Sequence, residues 1–177
     1  LTFVLLVGDA AQVPTYYLSG VASDPSYGYI VGSDHYSDLF VGRFSAENIA
    51  QVQTQANRTI SYERDPQIDA EWYEKGVGIG SEQGAGIGDD GEIDYQHIRN
   101  IRALLTNFTY AGVDELYEGS QGDGDAPGYP TTSMVAASLN EGRSIINYCG
   151  HGWNQGWGTT GFSNSEITGL TNDNMLP

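Results

Sequence analysis

Short, uniformly apolar runs alternate along this chain with segments whose apolar residues recur every three or four positions. Residues 2–7 (TFVLLV) are too uniformly apolar for a surface strand and predict a buried parallel one. Residues 27–31 and 39–43 are shorter β-like runs on either side of the polar stretch GSDHYSD. Ser45 is placed to cap a helix running to about Tyr62, on which Ile49, Val52, Ala56 and Ile60 make one apolar stripe. Residues 65–70 are a polar linker and the best boundary between two subdomains, 1–65 and 66–177.

The second part opens on GVGIG (76–80), a small-residue strand, followed by the Gly-rich acidic loop SEQGAGIGDDGEID. A helix is expected near 95–108, carrying Ile98, Ile101, Leu105 and Phe108, and a strand at 114–117. The turn residues of GSQGDGDAPGYP predict a loop, and 132–140 a helix that Gly142 would end. RSIINY (143–148) reads as another buried strand, ending at Cys149, Gly150, His151 and Gly152. The tail SNSEITGLTNDNMLP reads as a short helix and loop leading toward a further strand. This alternation predicts an α/β fold with a mainly parallel, doubly wound sheet flanked by helices. In such sheets ligands gather beyond the carboxyl ends of the strands. Asp9, Glu82 and His151 each follow a predicted strand, which marks them as candidate site residues.

Composition narrows the function classes. With 39% hydrophobic and 17% charged residues the chain is globular. No run of 18 apolar residues occurs, so no membrane span is expected. The opening LTFVLLVGDA has no initiator Met, basic flank or small-residue cleavage site. It therefore reads as a core strand of a chain that begins inside a larger polypeptide. Net charge is −16, from 23 acids against 7 bases, and Lys75 is the only lysine. Phosphate neutralisation needs basic clusters, so nucleic acid is not expected as a partner. A solvated acidic surface, bound divalent cations or attraction of basic substrates remain open. One cysteine allows neither a disulfide framework nor a cysteine zinc site.

His151 sits between two glycines, which would let a substrate backbone approach and free the Gly152 amide to face a cleft. The alternative is a turn histidine bonded to a carbonyl. Cys149 shares a strand face with position 151. Yet a nucleophile and its base must converge to about 3 Å on a common substrate position, which neighbours on one strand rarely do. Cys149 is thus expected to be a buried structural thiol. The acids form two clusters. Asp34 and Asp38, with Tyr36 between them, alternate through SDHYSD, with Asp9 upstream and Glu92 and His97 downstream. Mixed carboxylates and carbonyls suit calcium, although the spacing is not that of an EF-hand. In the second cluster (Asp89, Asp90, Glu92, Asp94) one carboxylate could face a basic substrate side chain.

Taken together, LTFVLLVGDA, YGYIVGSDHYSDLFVGRFS, NRTISYER, GEIDYQHI and NYCGHGWNQGWGT followed by LTNDNMLP resemble the catalytic domain of the gingipain cysteine peptidases, especially the arginine-specific branch. More distantly the arrangement is similar to caspases. The resemblance implies a caspase-like fold, with 1–65 the end of a first catalytic subdomain and 66–177 a second, truncated one. It implies His151 as the catalytic histidine, the Gly152 amide in the oxyanion hole, and Glu82 as the acid orienting the histidine. Asp94 matches the carboxylate that pairs with a substrate arginine, and Trp157 an aromatic near the same cleft. A structural calcium would be held by Asp9, Val31 (carbonyl), Asp34, Tyr36 (carbonyl), Asp38, Glu92 and His97 (carbonyl), with no redox or organic cofactor. Asp38 stands where relatives carry glutamate, and Cys149 where they usually carry another residue.

The nucleophilic cysteine is expected on a strand after NMLP, so the chain as it stands should be inactive. The implied activity is cleavage of protein or peptide substrates after arginine by a secreted or cell-surface bacterial enzyme, with the rest of the same polypeptide as partner. Two other functions compete. A related surface-sorting transpeptidase would share the dyad but needs no arginine pocket, so Asp94 argues against it. A non-catalytic acidic calcium-binding module would be favoured if no cysteine-bearing strand followed.

Overall fold

A computed structural model describes residues 2–86, 88, 90–173 and 175. They divide into two compact units, Leu1–Gln67 and Ile68–Pro177.

In the first unit, β1 (Phe3–Val7) pairs in parallel with β4 (Phe40–Phe44), Phe3 opposite Phe40 and Val7 opposite Phe44. Between them β2 (Tyr16–Leu18) and β3 (Val21–Ser23) form a hairpin. Its two-residue turn, Ser19 and Gly20, has positive φ at both positions, as a type I′ turn needs. Helix α1 (Ile49–Glu63) follows β4. Arg43 ties the unit together. Its guanidinium grips both carboxylate oxygens of Asp24 (2.6 and 2.7 Å) and donates to the carbonyls of Gly8 (2.7 Å) and Val13 (2.9 Å). The same guanidinium holds the Asp24 carboxyl below the usual carboxylate range.

Three expectations for this unit are corrected. Residues 27–31 are not a strand. Pro25 starts a 3-10 turn, Asp24–Gly28, and the chain then loops, held by the Asp38 carboxylate accepting from the amides of Ile30 and Val31 (both 2.9 Å). The cap of α1 is Asn48, whose side chain accepts from the Gln51 amide at 3.1 Å, and not Ser45. Strand β1 is parallel as expected, but Leu6 is buried while Phe3, Leu5 and Val7 are exposed, and α1 has no buried residue.

The second unit is built on a three-stranded parallel sheet. Strand β5 (Lys75–Gly80) is central, with β6 (Gly112–Tyr117) on one side and β7 (Ile145–Cys149) on the other. Helix α2 (Asp94–Phe108) connects β5 to β6, and α3 (Thr132–Asn140) connects β6 to β7. The chain thus winds outward from β5 in one direction and then crosses to its other side, so the doubly wound α/β prediction holds.

The alternation in KGVGIG explains the layering. Val77 and Ile79, both 0% exposed, point into a core with Leu116, Val135, Leu139 and Phe162, so α3 covers that face. Glycines occupy the opposite face, and α2 lies directly on them. A Cβ on Gly78 would come within 2.5 Å of Ile98 Cγ2, and one on Gly80 within 2.5 Å of the Tyr95 Cα. A parallel strand carries side chains to alternate faces, so removing them from one face lets a helix backbone settle onto the sheet. Under α2, Glu115 is buried against Arg99 (2.7 Å) and Arg102 (3.0 Å). On the α3 side Arg143 pairs with Asp114 at 2.7 Å. After β7, β8 (Gly152–Trp153) and β9 (Gly156–Trp157) form a small antiparallel hairpin. Helix α4 (Asn164–Ile167) then begins with a Ser163–Glu166 capping box.

The atom facing the Gly80 position is backbone, which cannot rotate away. Gly80→Ala should therefore destabilise the protein by about 1–3 kcal/mol, the usual cost of overpacking. Denaturant unfolding of the variant against wild type measures this, and an unchanged midpoint would contradict the close helix seat.

Candidate active site

The carboxyl ends of β5 and β7 lie side by side at the point where the sheet reverses its winding, and the Ser81 amide donates to the Cys149 carbonyl there (3.0 Å). Open α/β sheets form their crevices at this position. Beyond β5 come Ser81 and Glu82, and beyond β7 come Gly150, His151 and Gly152. Helix α2 brings its first turn to the same end.

Asp94 is the first residue of α2, and the first two amides of the helix bind it to the strand end. The Asp94 amide donates to the Gln83 carbonyl and the Tyr95 amide to the Ser81 carbonyl, both at 2.9 Å. These satisfy two of the amides a helix leaves open at its start, and an acid there is favoured by the helix dipole. Ser81 is 2% exposed, and its Oγ donates to Asp94 Oδ2 (2.5 Å) while accepting from the Gln83 amide (3.1 Å). The Cys149 thiol faces the same carboxylate. Burial, and then the Asp94 carboxylate beside it, push that thiol above the ordinary cysteine range. Cys149 is therefore half-buried and protonated near neutral pH, with no hydrogen bond to His151 among the described residues.

His151 is held by its backbone. Its carbonyl accepts from the Tyr148 hydroxyl (2.5 Å) and the Gly158 amide (2.6 Å). Its side chain is exposed and makes no hydrogen bond among the described residues, so it is not the carbonyl-bonded turn histidine weighed above. Gly152 pairs with Trp157 in the hairpin, and the Trp157 amide points away from that ladder, donating to the Phe162 carbonyl at 2.9 Å. Gly152–Trp157 is thus a non-bonded pair of the antiparallel alternation, which directs the Gly152 N–H outward. The Trp157 ring is half-buried and packs against the core, stacked on Tyr148 (5.1 Å) and tilted against Phe162 (5.6 Å).

Glu82 is held through its amide, which donates to Glu118 Oε2 at 3.0 Å, and its carboxylate lies beside Gly119. Among the described residues no hydrogen bond joins Glu82 to His151. Sequence reasoning missed Ser81, Tyr148 and Glu118. Ser81 and Glu118 each directly follow a strand, and the same carboxyl-end rule that singled out Glu82 would have found both.

The acids of the expected calcium set accept hydrogen bonds, mostly from backbone amides, that leave lone pairs on each carboxylate. Asp9 accepts from the Ala11 amide (2.7 Å), Asp34 from the Tyr36 amide (3.0 Å), and Asp38 from Ile30 and Val31. Those backbone bonds hold the Asp38 carboxyl below its ordinary range. Val31 and Tyr36 are exposed. In the second unit Glu92 bonds His97 Nδ1 (2.7 Å) and the Asp90 amide (2.7 Å), and the His97 contact leads in holding the Glu92 carboxyl down. Asp89 lies outside the described residues. Among the described residues no three acidic, imidazole or thiol groups converge to hold a metal ion.

Residues 1–177 match the family described as Peptidase family C25. Over the same 177 residues the chain is 40% identical to gingipain R2 and gingipain R1 of Porphyromonas gingivalis, covering 23% and 17% of their lengths. It thus spans less than a quarter of the curated relatives it matches. Among solved structures it is similar to the Arg-specific cysteine proteinase gingipain R (RgpB), with a TM-score of 0.81 and 40% identity. That likeness covers 100% of this chain and 39% of the other. The complex of RgpB pro- and mature domains matches equally well, with a TM-score of 0.81.

The neighbourhood of Cys149 carries its own test. A raised thiol pKa leaves less thiolate at a given pH, so Cys149 should react slowly with thiol reagents near pH 8 and titrate above the ordinary cysteine range. Asp94→Asn removes the neighbouring charge and should move that midpoint down, read by thiolate absorbance against pH. An unshifted midpoint would place Asp94 away from the thiol.

Proposed function

The chain belongs to peptidase family C25, the family of the gingipains, and from that premise we propose that it forms the histidine-bearing part of a cysteine endopeptidase that cleaves after arginine. What supports the reading is placement: His151 and Gly152 follow the carboxyl end of β7, and the half-buried Asp94 is bonded to Ser81 at the carboxyl end of β5, the end at which open α/β sheets take their ligands. The nucleophile is a cysteine outside residues 1–177. Cys149 is unsuited, being protonated by burial and facing a carboxylate.

In this mechanism a thiolate attacks the scissile carbonyl, and the Gly152 N–H donates to the oxyanion that forms. His151 passes a proton to the leaving amine and then takes one from the water that attacks the acyl-enzyme, so that the thiolate leaves and the starting pair is restored. Tyr148 and Gly158 tie down the His151 backbone from which the imidazole makes both transfers. Glu82 would act on His151 only after its carboxylate turns from Gly119. Asp94 pairs with the guanidinium of the substrate arginine. The acidic surface, net −16, draws basic substrates toward the crevice. Secretion or display at a bacterial cell surface fits such a protein-degrading role, and no described helix is long and apolar enough to cross a membrane.

Calcium binding is the part of the proposal that rests on the sequence blocks alone. The expected set mixes carboxylates with the carbonyls of Val31, Tyr36 and His97, the oxygen donors that calcium takes.

Two measurements test these readings. In the protein expressed from its complete gene, His151→Ala should lower kcat/KM for arginyl amide substrates by roughly a hundred- to ten-thousandfold, the usual weight of general acid–base catalysis. Full activity in that variant removes the assignment. Calcium at a hundredfold excess over its Kd should stabilise the folded protein by about 2.7 kcal/mol. A melting curve identical with calcium and with chelator would remove the metal from the proposal.

A further inference from the structure

An aspartate that recognises a guanidinium gains from being aimed as well as charged. The guanidinium is planar and meets a carboxylate through two parallel N–H bonds, whereas an ammonium approaches as a point charge from any side. The surroundings of Asp94 fix its plane. One oxygen, Oδ2, takes a short bond from the Ser81 hydroxyl. That hydroxyl cannot turn elsewhere, because its acceptor side is already occupied by the Gln83 amide and the side chain is buried. The other oxygen, Oδ1, lies against Gly84, where a Cβ would come within 2.4 Å of it. Gly84 also has φ +75°, a conformation that side-chain-bearing residues rarely adopt. Gly84 thus puts no side chain beside Oδ1, while Oδ2 is clamped.

We propose that Ser81 is the positioning residue of the specificity pocket, setting the plane of the Asp94 carboxylate so that it accepts arginine bidentately in preference to lysine. The proposal rests on the reading of Asp94 given above. The Ser81 hydroxyl is not a catalytic group and touches no reacting atom. It acts through Asp94, from the last turn of backbone before the crevice. The protonated Cys149 thiol faces the same carboxylate from β7 and adds no competing charge.

The test compares matched arginyl and lysyl amide substrates in the protein expressed from its complete gene. The ratio of their kcat/KM values is measured on the active molecules alone, so partial misfolding leaves it unmoved. Ser81→Ala should lower the arginyl-over-lysyl ratio roughly tenfold, about the weight of one hydrogen bond to a charged group, with the loss falling mainly in KM for arginyl substrates. Asp94→Asn, measured alongside, should collapse arginyl turnover itself. If Asp94→Asn does so while Ser81→Ala leaves the ratio unchanged, the positioning role is overturned and the Asp94 assignment stands. If Asp94→Asn has no effect on arginyl turnover, the Asp94 assignment fails and the Ser81 proposal falls with it.

Discussion

Much of the second unit depends on how closely the first turn of α2 approaches the end of β5. Gly78 and Gly80 leave no side chain between strand and helix, so Ile98 and the Tyr95 backbone occupy the space where Cβ atoms would stand. Only at that separation can the Tyr95 amide reach the Ser81 carbonyl and the Asp94 amide reach Gln83. The Ser81–Asp94 bond is a result of the same approach. Lifting the helix by an ångström or two would break all three, since hydrogen bonds weaken steeply beyond about 3.2 Å. Packing and site geometry here share one cause.

The second constraint is charge. Seven bases serve 23 acids, and four arginines are used as internal struts. Arg43 binds Asp24 and two carbonyls, Arg99 and Arg102 flank the buried Glu115, and Arg143 holds Asp114. Of these charges only Glu115 is fully buried, and leaving such a group without its partners typically costs about 3–5 kcal/mol. Spending the bases inside leaves the outer surface strongly acidic. A field of that sign attracts cations and repels polyanions.

The site also shows how a loop histidine is made dependable. Residues after a strand are usually mobile, yet His151 is fixed through its carbonyl by the Tyr148 hydroxyl and the Gly158 amide. Tyr148 is in turn stacked on Trp157, which packs on Phe162 in the core. The exposed imidazole therefore stands on a backbone tied to the core, and its nitrogens make no hydrogen bond among the described residues.

The amino-acid sequence by itself determined the strand and helix order of the second unit, the alternation of glycine with valine and isoleucine in KGVGIG, and the doubly wound class. These follow from periodicities of two and 3.6, which are local properties of the chain. The same logic placed His151 and Glu82 beyond strand ends. It failed at 27–31, where Pro25 and the Asp38 carboxylate impose a turn and a loop on a β-like run, and at Ser45, where Asn48 caps α1 instead. Only the tertiary structure decided that Ser81 clamps Asp94, that the Cys149 thiol faces that carboxylate, and that Trp157 stacks on Tyr148. Those contacts join residues 13, 55 and 9 positions apart or more, through hydrogen bonds and ring stacking whose distances depend on how helix, strand and hairpin pack. No local pattern encodes such distances, because they are set by the packing of the whole unit.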